Sequence, residues 1–272
     1  MFLKKKKVIA LAMAVIGSFA ILAAGCGDNS SSSQKSGNYI QTIKDRGVLK
    51  VGVKEDVPLF GFKNPQTGKL EGLEIDLAHQ MAKKILGDEN KVEFTPVTAK
   101  TRGPLLDSGE LDMIAATYTI NDERKKQYDF TTPYYKDPVG LLVKKADGIN
   151  SLADLNGKTV AVPQGATTKK ALEEAAKKAG ITLKFAEFAT YSECKAALMS
   201  GRAQAYGMDT SNLAGYLDND TQILPDKFAP QEYGIATKKG NDDLAKILND
   251  TVTEMKSSGE LDKLLAKWKL NK

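Results

Sequence analysis

The sequence has little cysteine and little histidine. Cys26 and Cys194 are its two cysteines, and His79 is the one histidine in 272 residues. Zinc-type metal centres need several Cys, His or carboxylate ligands at short, regular spacing, and a nucleophilic enzyme needs a base placed beside its Ser, Cys or Thr. Neither pattern is present in the chain. We therefore expect no metal site, no cofactor and no catalytic residue.

An excess of charge of one sign is also missing. The formal net charge is +5, but four of the 39 basic residues form a run at positions 4–7. The rest of the chain holds 35 basic and 34 acidic residues. A nucleic-acid-binding surface needs basic residues gathered on one face. Nucleic acid is therefore not expected as a partner.

An apolar run stands at the N-terminus. Residues 8–24 follow the four lysines, are interrupted only by Gly17 and Ser18, and lead through small residues to Cys26. A basic start, an apolar stretch and small residues before a cleavage point form a secretory signal, although about 17–25 apolar residues can also span a bilayer. The arrangement is similar to bacterial lipoprotein signals. That likeness implies that residues 1–25 are removed and that Cys26 carries lipid.

The segment that follows Cys26 is polar and rich in serine. This composition predicts a flexible tether over residues 26–38. A lipid on Cys26 would hold the protein at a membrane, outside the cytoplasm, without spanning it; which membrane is left open. Cys194 is then the remaining thiol, so no internal disulfide is expected, and its helical spacing from Tyr191 and Leu198 predicts a small buried residue.

Strand-like and helix-like segments alternate along the rest of the chain. Apolar alternation and short apolar runs predict strands at 48–53, 92–97, 113–116, 141–144, 160–163, 183–188, 205–208 and 233–237. Helical periodicity and glycine stops predict helices at 75–86, 104–107, 151–155, 168–179, 192–199, 242–258 and 260–268. His79 falls on the polar side of the first of these helices. The alternation indicates an α/β fold with mostly parallel sheets covered by helices.

The strand–helix unit occurs twice, which predicts two lobes. Lobe 1 is expected to comprise residues 39–138 and 236–272, and lobe 2 residues 139–235. Two strands crossing near 137–142 and 232–237 would form a hinge between them. Because ligands bind at the C-terminal ends of strands in open α/β sheets, both sets of strand ends are expected to face one cleft.

Several motifs resemble one family. They include the stretch 116–124, the three-residue motifs 128–130 and 133–135, and the segments 51–53, 72–78, 154–158 and 233–236. Together they resemble the polar amino-acid solute-binding proteins of ABC importers, bacterial family 3, which have a type II periplasmic binding fold with a two-stranded hinge. The resemblance implies an extracytoplasmic monomer, not an enzyme, that delivers a free amino acid to ABC permease subunits.

The resemblance implies a first group of ligand-binding residues in lobe 1. Arg124 would hold the ligand's carboxylate, since arginine offers a planar two-donor fork. Thr119 would add a hydroxyl and an N–H, Thr117 a carbonyl for the ammonium, and Tyr118 lies between them. On the residues alone, Arg124 could instead form a surface ion pair with Asp122 or Glu123.

A second group is implied in lobe 2 and at the hinge. Thr167 and Thr168 resemble N-cap residues of a helix whose free N–H groups form an anion site; plain capping is the alternative. Asp209 would pair with the ligand's ammonium, or else be a turn residue. Phe60 would be an apolar lid and Tyr233 would border the cleft, with a place in the core as the alternative for both.

Two cations bear on the ligand's side chain. Arg102 and Lys54 match the cations of the aspartate/glutamate-binding subgroup, and a carboxylate would be their natural partner. Each could instead be an ordinary solvated residue. Aspartate or glutamate is therefore the leading expectation, and glutamine or cysteine is the alternative. A cyclohexadienyl dehydratase-like enzyme on the same fold is a further alternative.

Overall fold

The computed structural model of the protein describes residues 38–271. The helices among them are α1 (Tyr39–Arg46), α2 (Leu73–Leu86), α3 (Arg102–Asp107), α4 (Asp122–Lys125), α5 (Thr168–Ala179), α6 (Tyr191–Met199), α7 (Thr210–Ala214), α8 (Asp242–Ser257) and α9 (Glu260–Lys267). None of these helices is long and apolar enough to cross a membrane. The predicted signal, the lipid site at Cys26 and nearly all of the tether lie outside the described residues.

The strands form three sheets. In chain order they are β1 (Leu49–Val53), β2 (Asp56–Val57), β3 (Gly61–Lys63), β4 (Leu70–Glu71), β5 (Val92–Pro96), β6 (Met113–Ala115), β7 (Tyr128–Phe130), β8 (Tyr135–Lys144), β9 (Thr159–Pro163), β10 (Lys184–Phe188), β11 (Ala205–Asp209), β12 (Thr221–Ile223), β13 (Phe228–Tyr233) and β14 (Ala236–Lys238). Short 3-10 turns lie at Lys145–Asp147 and Ala153–Leu155. The α/β class predicted from the sequence is confirmed.

The first large sheet has the strand order β5-β1-β6-β14-β7. The pairs β1–β5 and β1–β6 are parallel, whereas β14 runs antiparallel to both β6 and β7. Helices α2 and α8 pack on this sheet and on each other, and their apolar faces fill the core. We call this sheet with its helices lobe 1.

The second large sheet has the order β10-β9-β11-β8-β12, and β13 pairs with the first half of β8. Strands β10, β9 and β11 are parallel, and β8 is antiparallel to its partners. Helix α5 covers this sheet over the bounds predicted, because Gly180 takes a left-handed conformation (φ 69°) and ends it. We call this sheet with its helices lobe 2.

The chain changes lobes at two places, and here the predicted strands were wrong. Strand β8 begins at Tyr135, six residues before the predicted start, so the expected boundary after residue 138 lies inside it. The predicted strand 233–237 is two strands, because Tyr233 pairs with Tyr135 in lobe 2 whereas Ala236 pairs with Ile114 in lobe 1. The alternation of apolar residues along a segment does not show where the chain leaves one sheet and joins another.

A third sheet of three short strands, β2-β3-β4, was not predicted. Its strands of two or three residues are too short for a periodic signal. Helix α3 also starts at Arg102, two residues before the predicted start, so that Pro104 is its third residue. The prediction for Cys194 is confirmed, since its side chain is fully buried.

Candidate ligand-binding site

The C-terminal ends of the strands of both lobes meet. The hydroxyl oxygens of Thr119 in lobe 1 and Thr167 in lobe 2 lie 3.4 Å apart. Arg124 donates from Nη2 to the carbonyl of Gly165 across the same boundary, at 3.3 Å. A side chain on Gly165 would come within 2.9 Å of the Cα of Lys100, so the lobes are in close contact here. Thr119 and Arg124 of lobe 1 and Thr167 of lobe 2 therefore border one interface.

Arg124 lies at this interface and is half-buried. Asn121 caps α4 by accepting the N–H of Arg124, which fixes the start of the helix. The guanidinium donates from Nη1 to the carbonyl of Thr119 at 2.7 Å and lies 4.4 Å from the ring centre of Tyr118. Burial lowers the pKa of Arg124 to about 10. Of its five N–H donors, two are used by carbonyls, and the rest can serve an anion.

Arg102 is buried behind Arg124, with 2% of its surface exposed. It donates from Nη1 to the carbonyls of Ala116 and Thr117, the latter at 3.2 Å, and its guanidinium lies 4.1 Å from the ring centre of Tyr118. Tyr118 therefore contacts both guanidinium groups, an arrangement that stabilises cations by cation–π attraction. The alternative of a solvated Arg102 is excluded.

Lys54 follows β1 directly and is also buried, with 1% exposed. Its ammonium forms an ion pair with Asp56 at 2.9 Å and lies 4.2 Å above the ring of Tyr191 from lobe 2. Burial lowers the pKa of Lys54, and Asp56 opposes this shift. The cation is thus already matched by a carboxylate of the protein.

Thr117 has a left-handed backbone with φ of 44°, which is unusual for a β-branched residue. Its N–H donates to Oε1 of Glu74 at 2.5 Å and its carbonyl accepts from Arg102. Because both backbone groups are bound, the conformation is held from two sides. The sequence indicated a ligand contact for the carbonyl but gave no sign that Glu74 would hold the N–H.

Asp209 is the last residue of β11 and is 2% exposed. The hydroxyl of Tyr233 donates to its Oδ2, whereas Oδ1 has no hydrogen-bond partner among the described residues. Burial raises the pKa of Asp209 to about 7, and Arg102 and Arg124 act in the opposite direction. Asp209 is therefore a buried carboxylate with one oxygen open to a donor, and it does not occupy an exposed turn.

Phe60 and Tyr233 are fully buried. The ring centre of Phe60 lies 5.4 Å from that of Tyr135 and 5.8 Å from that of Tyr233, in edge-to-face geometry. Phe60 thus packs among aromatic rings beneath the interface, and its place as an apolar lid beside a ligand stays a prediction. Tyr233 reaches the interface through its hydroxyl on Asp209.

Thr167 and Thr168 begin α5, but neither caps it with its side chain. Thr167 is the N-cap residue, and its hydroxyl donates to Oε1 of Gln231 at 2.7 Å. Thr168 is the first helical residue, and its buried hydroxyl points to the sulfur of Met208 at 3.8 Å. The N-cap position predicted for Thr167 is confirmed, whereas the alternative, plain capping by the side chain, is not seen. The first N–H groups of a helix have no intrahelical acceptor, so the helix start keeps its capacity for an anion.

Sequence reasoning missed the contacts of Asp56. Its Oδ2 accepts the N–H of Tyr191 at 2.8 Å, at the first turn of α6 in lobe 2. The hydroxyl of Tyr216, also in lobe 2, donates to its carbonyl. Asp56 and Tyr191 lie 135 residues apart in sequence, so no local pattern could have paired them.

The sequence matches a known family. A model of the bacterial extracellular solute-binding proteins, family 3, matches residues 49–271. The chain belongs to this family. The matched range includes every strand of both lobes, and the resemblance noted in the sequence and the two-lobed fold are thereby confirmed.

Similar proteins include transport proteins and a solved binding protein. The chain is 41% identical over 271 residues to the ABC transporter glutamine-binding protein GlnH of Bacillus subtilis (strain 168), covering 97% of each. It is 41% identical over 266 residues to a glutamine-binding protein of Geobacillus stearothermophilus, covering 92% of this chain and 100% of the other. The structure of an ancestral arginine-binding protein bound to glutamine has a TM-score of 0.75 and 40% identity, covering 83% of this chain and 99% of that one.

Proposed function

We propose that this chain captures L-glutamine between its two lobes and delivers it to an ABC permease. The observation that carries the amino-acid part is the opposition of Arg124 and Asp209. Arg124 offers unused guanidinium donors on the lobe 1 side, and Asp209 offers an open carboxylate oxygen on the lobe 2 side. A zwitterion needs a cation for its carboxylate and an anion for its ammonium, and these two side chains supply them.

Thr119, Thr117 and the start of α5 complete the proposed grip. The hydroxyl of Thr119 and the N–H groups beyond Thr167 face the carboxylate, and the carbonyl of Thr117 keeps a second lone pair for the ammonium. Contacts from both lobes are made together only when the lobes are closed. Ligand therefore shifts the population toward closure by its differential affinity, and the closed form is the one we expect a permease to recognise.

The balance of buried charge favours a neutral ligand side chain. Lys54 is paired with Asp56, and Arg102 lies within the field of Glu74. An acidic side chain would add a negative charge beside cations that protein carboxylates already compensate. An amide can donate and accept hydrogen bonds without adding charge. Two relatives at 41% identity are glutamine-binding proteins by name. Both points favour glutamine, the alternative drawn from the sequence, over aspartate or glutamate.

Calorimetric titration of the chain from Gly27 onward with all twenty amino acids tests this proposal. We expect glutamine to bind with a free energy of about −8 kcal/mol, typical of a micromolar site, and at least about tenfold more tightly than glutamate or aspartate. Tighter binding of an acidic amino acid would reject glutamine as the ligand, and turnover of prephenate or arogenate would reject a purely binding role.

We also propose that Cys26 carries the lipid that tethers a monomeric protein outside the cytoplasm. The support is the lipoprotein-like signal and the extracellular class of the family. Replacing Cys26 by alanine should move the protein from the membrane fraction to the soluble fraction. Unchanged membrane association of that variant would reject the anchor.

A further inference from the structure

A carboxylate outside the proposed grip lies directly behind it. Glu74 is the second residue of α2 and is completely buried. Its Oε1 accepts the N–H of Thr117 and the hydroxyl of Tyr134, while Oε2 has no hydrogen-bond partner among residues 38–271. Burying a carboxylate is costly unless opposite charge or hydrogen bonds compensate it. The position of Glu74 therefore calls for a functional reason.

Glu74 and Arg102 hold the two sides of one residue. Glu74 accepts the N–H of Thr117, and Arg102 donates to the carbonyl of Thr117. The contacts of Arg102 are otherwise the carbonyl of Ala116 and the ring of Tyr118, which are neutral. Its charge is felt by two carboxylates, Glu74 and Asp209. Since Asp209 is assigned to the ligand's ammonium, Glu74 remains as the counter-charge of Arg102.

We propose that Glu74 sets the preference of the site between a neutral and a negatively charged ligand side chain. By supplying the counter-charge of Arg102, it makes the site select an amide over a carboxylate. This inference rests on the proposed function, in which the side chain of the ligand meets Arg102. With an ionised Glu74, an acidic side chain brings a second negative charge to one cation. With a neutral residue in its place, Arg102 lacks a counter-charge and an acidic ligand provides it.

The electrostatic surroundings of Glu74 make this preference depend on pH. Burial raises the pKa of Glu74 to about 7, and the opposing influences are the hydroxyl of Tyr134, the N–H of Thr117, and the charges of Arg102 and Lys54. Glu74 is ionised above that pH and neutral below it. The preference for glutamine over glutamate should therefore weaken as pH falls from 8 to 6. Protonation of Asp209 affects the ammonium that both ligands share, so it cancels in the ratio of their Kd values.

The decisive variant is Glu74→Gln, which keeps the shape of the side chain and an oxygen acceptor for the N–H of Thr117. At pH 8 the ratio of Kd for glutamate to Kd for glutamine should fall by about tenfold or more, as expected for losing a buried charge near a cation. Asparagine and aspartate should show the same trend. The pH dependence of the ratio should also be absent in this variant.

Glu74→Asp is the matched control, because it keeps the charge but withdraws the carboxylate from Thr117. It should retain the preference for the neutral ligand even where both affinities drop. If Glu74→Gln changes both Kd values by one common factor, Glu74 only supports Thr117 and the inference is overturned. A wild-type ratio that does not change between pH 8 and pH 6 overturns it as well, without any variant having to fold.

These measurements keep the two proposals apart. A wild-type protein that fails to bind glutamine rejects the proposed ligand, whatever Glu74 does. The inference about Glu74 makes a separate requirement. For any two amino acids that the site binds, Glu74→Gln must shift its preference toward the one with the more negative side chain. Absence of that shift rejects the inference while the proposed ligand stands.

Discussion

The two faces of the cleft differ in what holds their charged side chains in place. On lobe 1, Arg102, Arg124 and Glu74 each make hydrogen bonds to backbone groups of their own lobe. On lobe 2, Asp209 keeps an oxygen without a partner in the described part of the chain. Lobe 1 therefore holds its charged groups on its own backbone, which indicates a fixed docking surface, whereas one side chain, the hydroxyl of Tyr233, holds the carboxylate of lobe 2.

The largest effect is expected from removing the carboxylate fork of lobe 1. Arg124→Ala should weaken the binding of every amino acid by about 2–5 kcal/mol, the usual cost of removing one partner of a buried charge pair. Calorimetry on the purified variant measures this. Arg124→Lys is the control, since it keeps the charge without the planar fork, and it should bind with intermediate affinity. Affinity within threefold of wild type in Arg124→Ala would mean that lobe 1 does not hold the carboxylate.

The next effect concerns the open carboxylate of lobe 2. Asp209→Asn keeps size and shape but removes the charge that meets the ammonium, so affinity should fall by about 2–3 kcal/mol at pH 8. The wild-type Kd should also rise as pH falls below about 7, because burial raises the pKa of Asp209 to about 7 and the ammonium requires the ionised form. Titrations between pH 8 and pH 5.5 test both statements.

The same carboxyl affects stability with the opposite dependence on pH. Its pKa is higher in the folded protein than in the unfolded chain, so the unliganded folded state binds more protons between about pH 4 and pH 7. This contribution therefore lowers the free energy of unfolding as pH rises through that window. In Asp209→Asn, both the decline in stability and the protonation-linked loss of binding should be reduced. Equal pH profiles in the two proteins would contradict the assignment.

A smaller effect is expected at the contact of Asp56 with lobe 2, which involves no proposed ligand group of that lobe. Asp56→Ala removes the bonds to the N–H of Tyr191 and to Lys54, so the closed form should lose about 1–2 kcal/mol. All amino acids should weaken, but the acidic ones least, because the variant also removes the counter-charge of Lys54. Small-angle scattering should show a more open unliganded protein. An equal loss of affinity for acidic and neutral amino acids would show that Lys54 does not influence the side chain of the ligand.

The smallest effect is expected at Thr167, where the two faces touch through hydroxyl groups. Thr167→Val keeps the shape of the side chain and removes the hydrogen bond to Gln231, so affinity should fall by about 0.5–1.5 kcal/mol. Thr167→Ser restores the hydroxyl and should recover the wild-type Kd in the same titration. If the valine variant loses as much affinity as Arg124→Ala, then lobe 2 contributes more to the binding free energy than hydroxyl contacts and a helix start can explain.

Local sequence patterns predicted the elements that have their own periodicity. Helix α5 has the predicted bounds, since Gly180 supplies its stop. Strands β1, β5, β6, β9, β10 and β11 each differ from their predicted bounds by one residue. Strand β8 and the break at Gly234 were missed, because both depend on which sheet a residue joins. A side chain on Gly234 would lie 2.8 Å from Ile120, a close approach that no local pattern reports.

Candidate residues for the site could be named from the sequence, but the contacts between them could not. Arg124 and Asp209 could be proposed because a zwitterion demands one cation and one anion. The partners of the cations were not visible, since Glu74 and Thr117 lie 43 residues apart and Asp56 and Tyr191 lie 135 apart. The preference for an acidic ligand came from counting cations without the carboxylates that the fold brings beside them.

The position of β14 has a consequence for the order in which the protein folds. Among the described strands, β7 pairs with β14 alone, and β14 is contributed by residues 236–238, after the whole of the second sheet. The first sheet therefore cannot close until the last part of the polypeptide has emerged, whereas the second sheet is a single uninterrupted segment. Pairing between residues so far apart in sequence slows folding. We expect the second sheet to form first. The partly folded chain should be most open to aggregation and proteolysis during the time before β14 pairs with β6 and β7.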